Sequence, residues 1–139
     1  MESHHDQNGS VDFHQNYKIM LVDDEAIYLV EFEDILREHG YRVYAALDGE
    51  SCLELAETYR PDIILLDIAM PKMNGFDVLR KLKNNSTFKR TPVILVTGKS
   101  TETQVPNDCR PFVTDFFQKP FAVDTLIERI EKILLQTPG

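Results

Sequence analysis

The stretch Ile63-Ile64-Leu65-Leu66-Asp67-Ile68-Ala69-Met70-Pro71 decides the fold. Four apolar residues in a row, with no polar residue alternating between them, suit a strand covered on both faces, and this run ends on a carboxylate and a loop. Upstream, Ile19-Met20-Leu21-Val22 repeats the pattern and ends in Asp23-Asp24-Glu25. Downstream, Pro92 opens the run Val93-Ile94-Leu95-Val96, with Thr97 next. Between these runs lie helix-length segments. Ile27, Val30, Ile35 and Leu36 fall near helical spacing up to Gly40, a stop signal. Tyr41 to Ala45 is rich in β-formers, and a helix from about Gly49 to Tyr59, with Leu53 and Ala56 inward, cannot pass Pro61. Phe76, Leu79 and Leu82 mark a third helix, Val113 to Phe117 a fifth strand, and Leu126, Ile130, Ile133 and Leu134 the last helix. Strands and helices alternate, so the expected class is α/β: a doubly wound, five-stranded parallel sheet with helices on both faces.

The rest of the composition is consistent with one such domain. The chain has 139 residues, 42% of them apolar and 27% charged, and a formal net charge of −8. That balance repels a phosphate backbone or an anionic bilayer, so neither nucleic acid nor a membrane is an expected partner. The longest apolar runs are far shorter than the roughly 20 residues of a membrane span. Cys52 and Cys109 form no CxxC pair, which points to reduced thiols and a cytoplasmic setting. Cys52 is expected to pack in the core, and His39, near a helix end, to face the dipole. Residues 1–17 lack any period and read as a disordered tail carrying His4, His5 and His14. Residues 18–136 form the domain, and 137–139 are its end or the start of a linker at Pro138.

In a doubly wound sheet the ligand site lies outside the carboxyl ends of the strands. The polar residues there are Asp23 and Asp24, Asp67, Thr97 and, just past strand 5, Lys119. Three carboxylates at about 5 Å would repel by roughly 3 kcal/mol per ionised pair at an effective dielectric near 20. A hard divalent cation removes that penalty, and Mg²⁺ suits one or two carboxylates with waters, phosphate oxygens and a backbone carbonyl. Lys119 adds a fixed positive charge and Thr97 a hydroxyl. Together they describe a pocket for a phosphoryl group beside a metal, in which Asp67 is the best placed to attack phosphorus.

The set Val22-Asp23-Asp24-Glu25, Leu65 to Gly75 with its Asp67-Ile68-Ala69-Met70-Pro71-Lys72, Val96-Thr97 and Lys119-Pro120-Phe121 closely resembles the receiver domain of two-component response regulators, over about Lys18 to Leu135. The resemblance implies a flavodoxin-like sheet of order 2-1-3-4-5. It makes Asp67 the phosphoacceptor, and it places Mg²⁺, or Mn²⁺ as a substitute, on Asp23, Asp24, Asp67 and the backbone carbonyl of Ala69. Lys119 and Thr97 would stabilise the phosphoryl oxygens, Lys119-Pro120 would be a cis peptide, and Thr97 and Phe116 would form the switch. The donor would be a histidine kinase or histidine phosphotransfer protein, and the switch would control an output domain or protein partner. The chain would be no enzyme beyond its own phosphoryl transfer and dephosphorylation.

One segment departs from the pattern. Thr97 and Lys119 stand 22 residues apart, as in ordinary receivers, but Pro106 and Pro111 interrupt the stretch that normally forms the fourth helix. Each proline inside a helix costs about 3 kcal/mol, so that helix, over residues 101–112, is expected to be short, irregular or absent. The surface it shares with strand 5 and the last helix, used by many receivers for dimerisation, is therefore altered. Ala69 and Lys99 occupy positions that tune phosphate lifetime in the family. Two other readings compete: a docking module with a relic pocket, which the five intact residues oppose, and a Mg²⁺-dependent phosphohydrolase, which Ala69 opposes because such enzymes usually carry an acid there.

Overall fold

The computed structural model describes residues 17–70, 72–98 and 105–136. Five strands form one sheet: β1 (Lys18–Val22), β2 (Arg42–Ala46), β3 (Ile63–Leu66), β4 (Val93–Thr97) and β5 (Asp115–Gln118). All neighbours pair in parallel, in the order β2-β1-β3-β4-β5. Among the described residues four α-helices cover it: α1 (Ala26–Glu38), α2 (Gly49–Tyr59), α3 (Gly75–Lys83) and α4 (Val123–Gln136). The doubly wound, flavodoxin-like arrangement expected from the sequence is the one observed.

The apolar runs divide by the period-two rule of a strand. Met20, Val22, Ile64, Leu66 and Leu95 point to the face covered by α2 and α3, where they meet Cys52, Ala56, Val78, Leu79 and Leu82. Ile19, Leu21, Ile63, Leu65, Ile94 and Val96 point to the other face, against α1 and α4. Burying both faces of β1, β3 and β4 is what the uninterrupted runs require. Two helices start on side-chain caps: Asp48 accepts from the Ser51 amide at 2.7 Å and Asn74 from the Asp77 amide at 3.0 Å, each worth about 1 kcal/mol.

Helix α1 buries only part of the set its spacing suggests: Leu36 is in the core and Ile35 packs half-buried against it, but Ile27 and Val30 do not. Leu29, Phe32 and Leu36 face the sheet, whereas Ile27 is 79% and Val30 56% exposed. Ile27 and Val30 also stand at helical spacing, so the apolar pattern alone does not distinguish the two faces. The fifth strand begins at Asp115, two residues later than expected, because a 3₁₀ turn over Arg110–Phe112 holds the Val113 amide on the Arg110 carbonyl. Tyr17, assigned by sequence to the tail, packs at the sheet edge, and its carbonyl accepts from the Arg42 amide. His4, His5, His14, Lys99 and residues 137–139 lie outside the described residues.

The segment before β5 is irregular where it is described. Residues 101–104 fall outside, but from Val105 onward the chain makes a turn in which the Cys109 and Arg110 amides both donate to the Pro106 carbonyl, followed by the 3₁₀ turn. Among the described residues no α-helix lies between β4 and β5. The segment is still anchored. Val105 and Cys109 are buried in the α2/α3 core, and Asp108 takes a bidentate pair from Arg80, Nε at 2.7 Å and Nη2 at 3.2 Å.

Candidate functional site

Backbone bonds along the strand ends set the site. The Asp23 amide donates to Ala46 O, the Asp67 amide to Val22 O and the Lys119 amide to Thr97 O. Asp23, Asp67, Thr97 and Lys119 therefore leave the sheet side by side at its carboxyl edge. Beyond Asp67 the loop folds back, with the Met70 and Gly75 amides both on the Ile68 carbonyl. Gly75 is required there: a Cβ would lie 2.5 Å from the Asp67 carbonyl oxygen.

Asp23, Asp24 and Asp67 each bring a carboxylate oxygen within 4.8 Å of the others. Asp23 and Asp67 are buried, at 3% and 6% exposure, as is Thr97, and Asp24 faces solvent. Asp23 Oδ1 accepts from the Glu25 amide at 2.9 Å and Asp67 Oδ1 from the Ala69 amide at 3.2 Å. Lys119 Nζ donates to Asp23 Oδ2 at 2.5 Å, with Glu25 Oε1 at 3.7 Å. Burial, then the neighbouring Asp23 charge, push the Asp67 carboxyl up to about 6, against the opposing pull of Lys119 and the Ala69 amide. At neutral pH Asp67 is mostly ionised, in a cluster where a further positive charge is favourable. The oxygen-only donor set and its spacing fit a hard divalent cation.

The Lys119–Pro120 peptide is cis. Phe116, in register with Leu95, is half-buried on the α2/α3 face and borders a shallow cavity of about 250 Å³ with Val105, Arg110, Val113 and Asp115. Cys52 is fully buried, and His39 Nδ1 lies 2.9 Å from the Ile35 carbonyl in the last turn of α1. One residue of the site escaped sequence reasoning. Tyr28, four positions after Asp24 on α1, places its ring 4.0 Å from Lys119 Nζ. Its place in the first turn of the helix that starts just after the carboxylates was the one hint in the sequence, and nothing there pointed to Lys119.

Residues 19–131 match the sequence profile of the response regulator receiver domain. The chain belongs to the receiver-domain family. Protein PilH of Pseudomonas aeruginosa is 34% identical over 84% of this chain and 97% of its own length. The alkaline phosphatase synthesis transcriptional regulatory protein PhoP of Bacillus subtilis is also 34% identical, over 86% of this chain, which spans only 49% of that relative. Among solved structures, the receiver domain of sensor histidine kinase PA1611 from Pseudomonas aeruginosa superposes with a TM-score of 0.77 at 28% identity, over 86% of this chain and 98% of that one. It holds a magnesium ion in its active-site cleft. This receiver therefore has the family's role of regulatory phosphoacceptor in two-component signalling, with histidine kinases or phosphotransfer proteins as the family's partner class. Among its described residues no helix is long and apolar enough to cross a membrane.

Proposed function

We propose that Asp67 is the residue of this receiver that accepts the phosphoryl group, with Asp23, Asp24, Asp67 and the Ala69 carbonyl holding Mg²⁺, or Mn²⁺ in its place. The observation that carries this reading is the position of Asp67: buried at the strand end, within 4.8 Å of two carboxylates, one of which, Asp23, binds the Lys119 ammonium. The cation supplies charge neutralisation for the carboxylates and for the incoming phosphoryl oxygens. An ionised Asp67 oxygen attacks phosphorus, the bond from phosphorus to the donor breaks, and the electron pair leaves with the donor: imidazole nitrogen for a phosphohistidine, acetate oxygen for acetyl phosphate. Lys119 and the Thr97 hydroxyl stabilise the charge on the phosphoryl oxygens.

The new group carries about −1.5 to −2 charges. It draws Lys119 from Asp23 and Thr97 toward the phosphoryl oxygens, and Phe116 turns into the space that Thr97 vacates. An output domain or protein partner that binds the two states unequally reads the switch. The irregular segment around Pro106 borders Phe116 and makes the readout surface unlike one built on a regular helix. The reading places the chain in the cytoplasm, where its kinase partners present their phosphohistidine.

Intact-mass measurement after incubation with Mg²⁺ and acetyl phosphate tests it. The native chain gains one phosphoryl group that Asp67→Asn does not. Equal phosphorylation of the two proteins would overturn the assignment.

A further inference from the structure

Lys119 brings its ammonium to the carboxylate cluster, where it meets both a carboxylate and an aromatic ring. Asp23 Oδ2 takes one N–H at 2.5 Å, and the centroid of the Tyr28 ring lies 4.0 Å from Nζ. That is a cation–π contact at close range in a half-buried setting, where such contacts are stronger than at an open surface. The ring contributes its face alone. The Tyr28 hydroxyl is buried and finds no hydrogen-bond partner among the described residues, so the contact with Lys119 is made through the ring.

The ring is itself held in place. Tyr28 packs against Phe32 at 5.9 Å, Phe32 meets Phe121 edge-on at 6.1 Å, and Phe121 meets Phe117 edge-on at 5.8 Å. This row joins α1, the turn that follows Pro120, and β5. Arg129 of α4 lies over Phe117 and pairs with Asp115. A lysine side chain has four rotatable bonds and no preferred direction of its own. Here the aromatic row gives it a fixed floor.

From these contacts we propose that Tyr28 is a positioning residue for phosphoryl transfer: its ring face holds the Lys119 ammonium at the height from which it reaches both Asp23 and an incoming phosphoryl group. The inference rests on the reading of Asp67 as phosphoacceptor. Because the ring works by its face, phenylalanine replaces it and an aliphatic side chain does not.

The test compares the native chain with Tyr28→Phe and Tyr28→Leu. The phosphorylation rate is measured at saturating Mg²⁺ and saturating acetyl phosphate, with thermal unfolding as the check on folding. A second readout, independent of phosphorylation, is the NMR shift of the Lys119 Hε protons, which a ring at this distance moves upfield. The expected result is an upfield Lys119 signal in the native chain and Tyr28→Phe, lost in Tyr28→Leu. With it, the maximal rate falls about tenfold in Tyr28→Leu and stays within about twofold in Tyr28→Phe. Absence of the ring-current shift in the native chain overturns the contact. A shift that is present while all three rates agree, or rates that fall equally in Phe and Leu, overturns the positioning role. If the native chain shows the shift but takes no phosphoryl group, the Asp67 reading fails and this inference falls with it, and that outcome differs visibly from the others.

Discussion

Lys119 Nζ lies 2.5 Å from Asp23 Oδ2, a bond across 96 residues of sequence between the end of β1 and the end of β5. In this state the lysine neutralises one carboxylate of the metal cluster, so it competes with a cation for the same charge. Removing it has opposite effects on two measurable quantities. Lys119→Met leaves Asp23 without its counter-ion, and Mg²⁺ binds more tightly, by about tenfold for a pair worth about 1.4 kcal/mol at this partly screened depth. The rate of phosphorylation by acetyl phosphate falls about a hundredfold, since a donor aimed at the developing charge is gone. Calorimetric Mg²⁺ titration alongside the rate measurement checks both signs; weaker Mg²⁺ binding would show that Lys119 supports the cation site.

The raised Asp67 carboxyl makes the metal-free fold sensitive to pH. A carboxyl whose folded value, about 6, exceeds its unfolded value near 3.8 favours the folded state when protonated. Its contribution is complete below about pH 4 and is lost as pH rises through 6. In EDTA, Asp67→Asn is therefore more stable than the native chain at pH 7.5, by about 1–2 kcal/mol after allowance for the open side of the cleft, and the difference vanishes near pH 3.5. Mg²⁺ at pH 7.5 reverses the order by stabilising the native chain more. Urea titrations at the two pH values, with and without Mg²⁺, measure each arm.

Much of this architecture was legible in the sequence. Ile63 to Leu66 and its two neighbours on the same pattern announced a parallel sheet, because runs of four apolar residues, too short for a helix and alternating with helix-length segments, suit strands buried on both faces. The candidate residues Asp23, Asp67, Thr97 and Lys119 were legible as the polar groups at or just past the strand ends. The prolines at 106 and 111 announced the irregular segment. Sequence did not show which stripe of α1 would be buried, because Ile27 and Val30 are as apolar as Leu29 and Phe32, and only packing against Phe121 and the sheet decides between them. Nor did it show Tyr28 beneath Lys119, a contact made by two residues 91 positions apart through tertiary structure alone.

Lys83 places a buried ammonium on three backbone carbonyls, Phe88 at 3.0 Å, Lys89 at 3.2 Å and Thr91 at 2.6 Å. All three of its donors are used to hold the turn that enters β4. Burial alone lowers Lys83 to about 8, but three carbonyl acceptors favour the charged form, and we expect them to keep it protonated at neutral pH. Lys83→Met leaves those oxygens without their donor and lowers stability by about 2 kcal/mol. Urea unfolding measures it; an unchanged midpoint would show that desolvation cancels the three bonds.

The Arg80–Asp108 clasp ties the irregular segment to α3 from the solvent side. Arg80→Gln frees the Pro106 turn locally, and amide exchange at Cys109 and Arg110, both bonded to the Pro106 carbonyl, speeds up several-fold. The melting temperature changes little, because Val105 and Cys109 remain buried. Exchange followed by mass spectrometry resolves the two amides.

Reductive trapping locates the phosphoryl group that the proposed function puts on Asp67. Borohydride converts an acyl phosphate to an alcohol, so the native chain, phosphorylated with acetyl phosphate and Mg²⁺ and then reduced, is digested and mapped by mass. The expected product is homoserine at position 67 and at no other carboxylate. Homoserine at position 23 or 24, or an unmodified Asp67 in a chain that carries the phosphoryl mass, would contradict it.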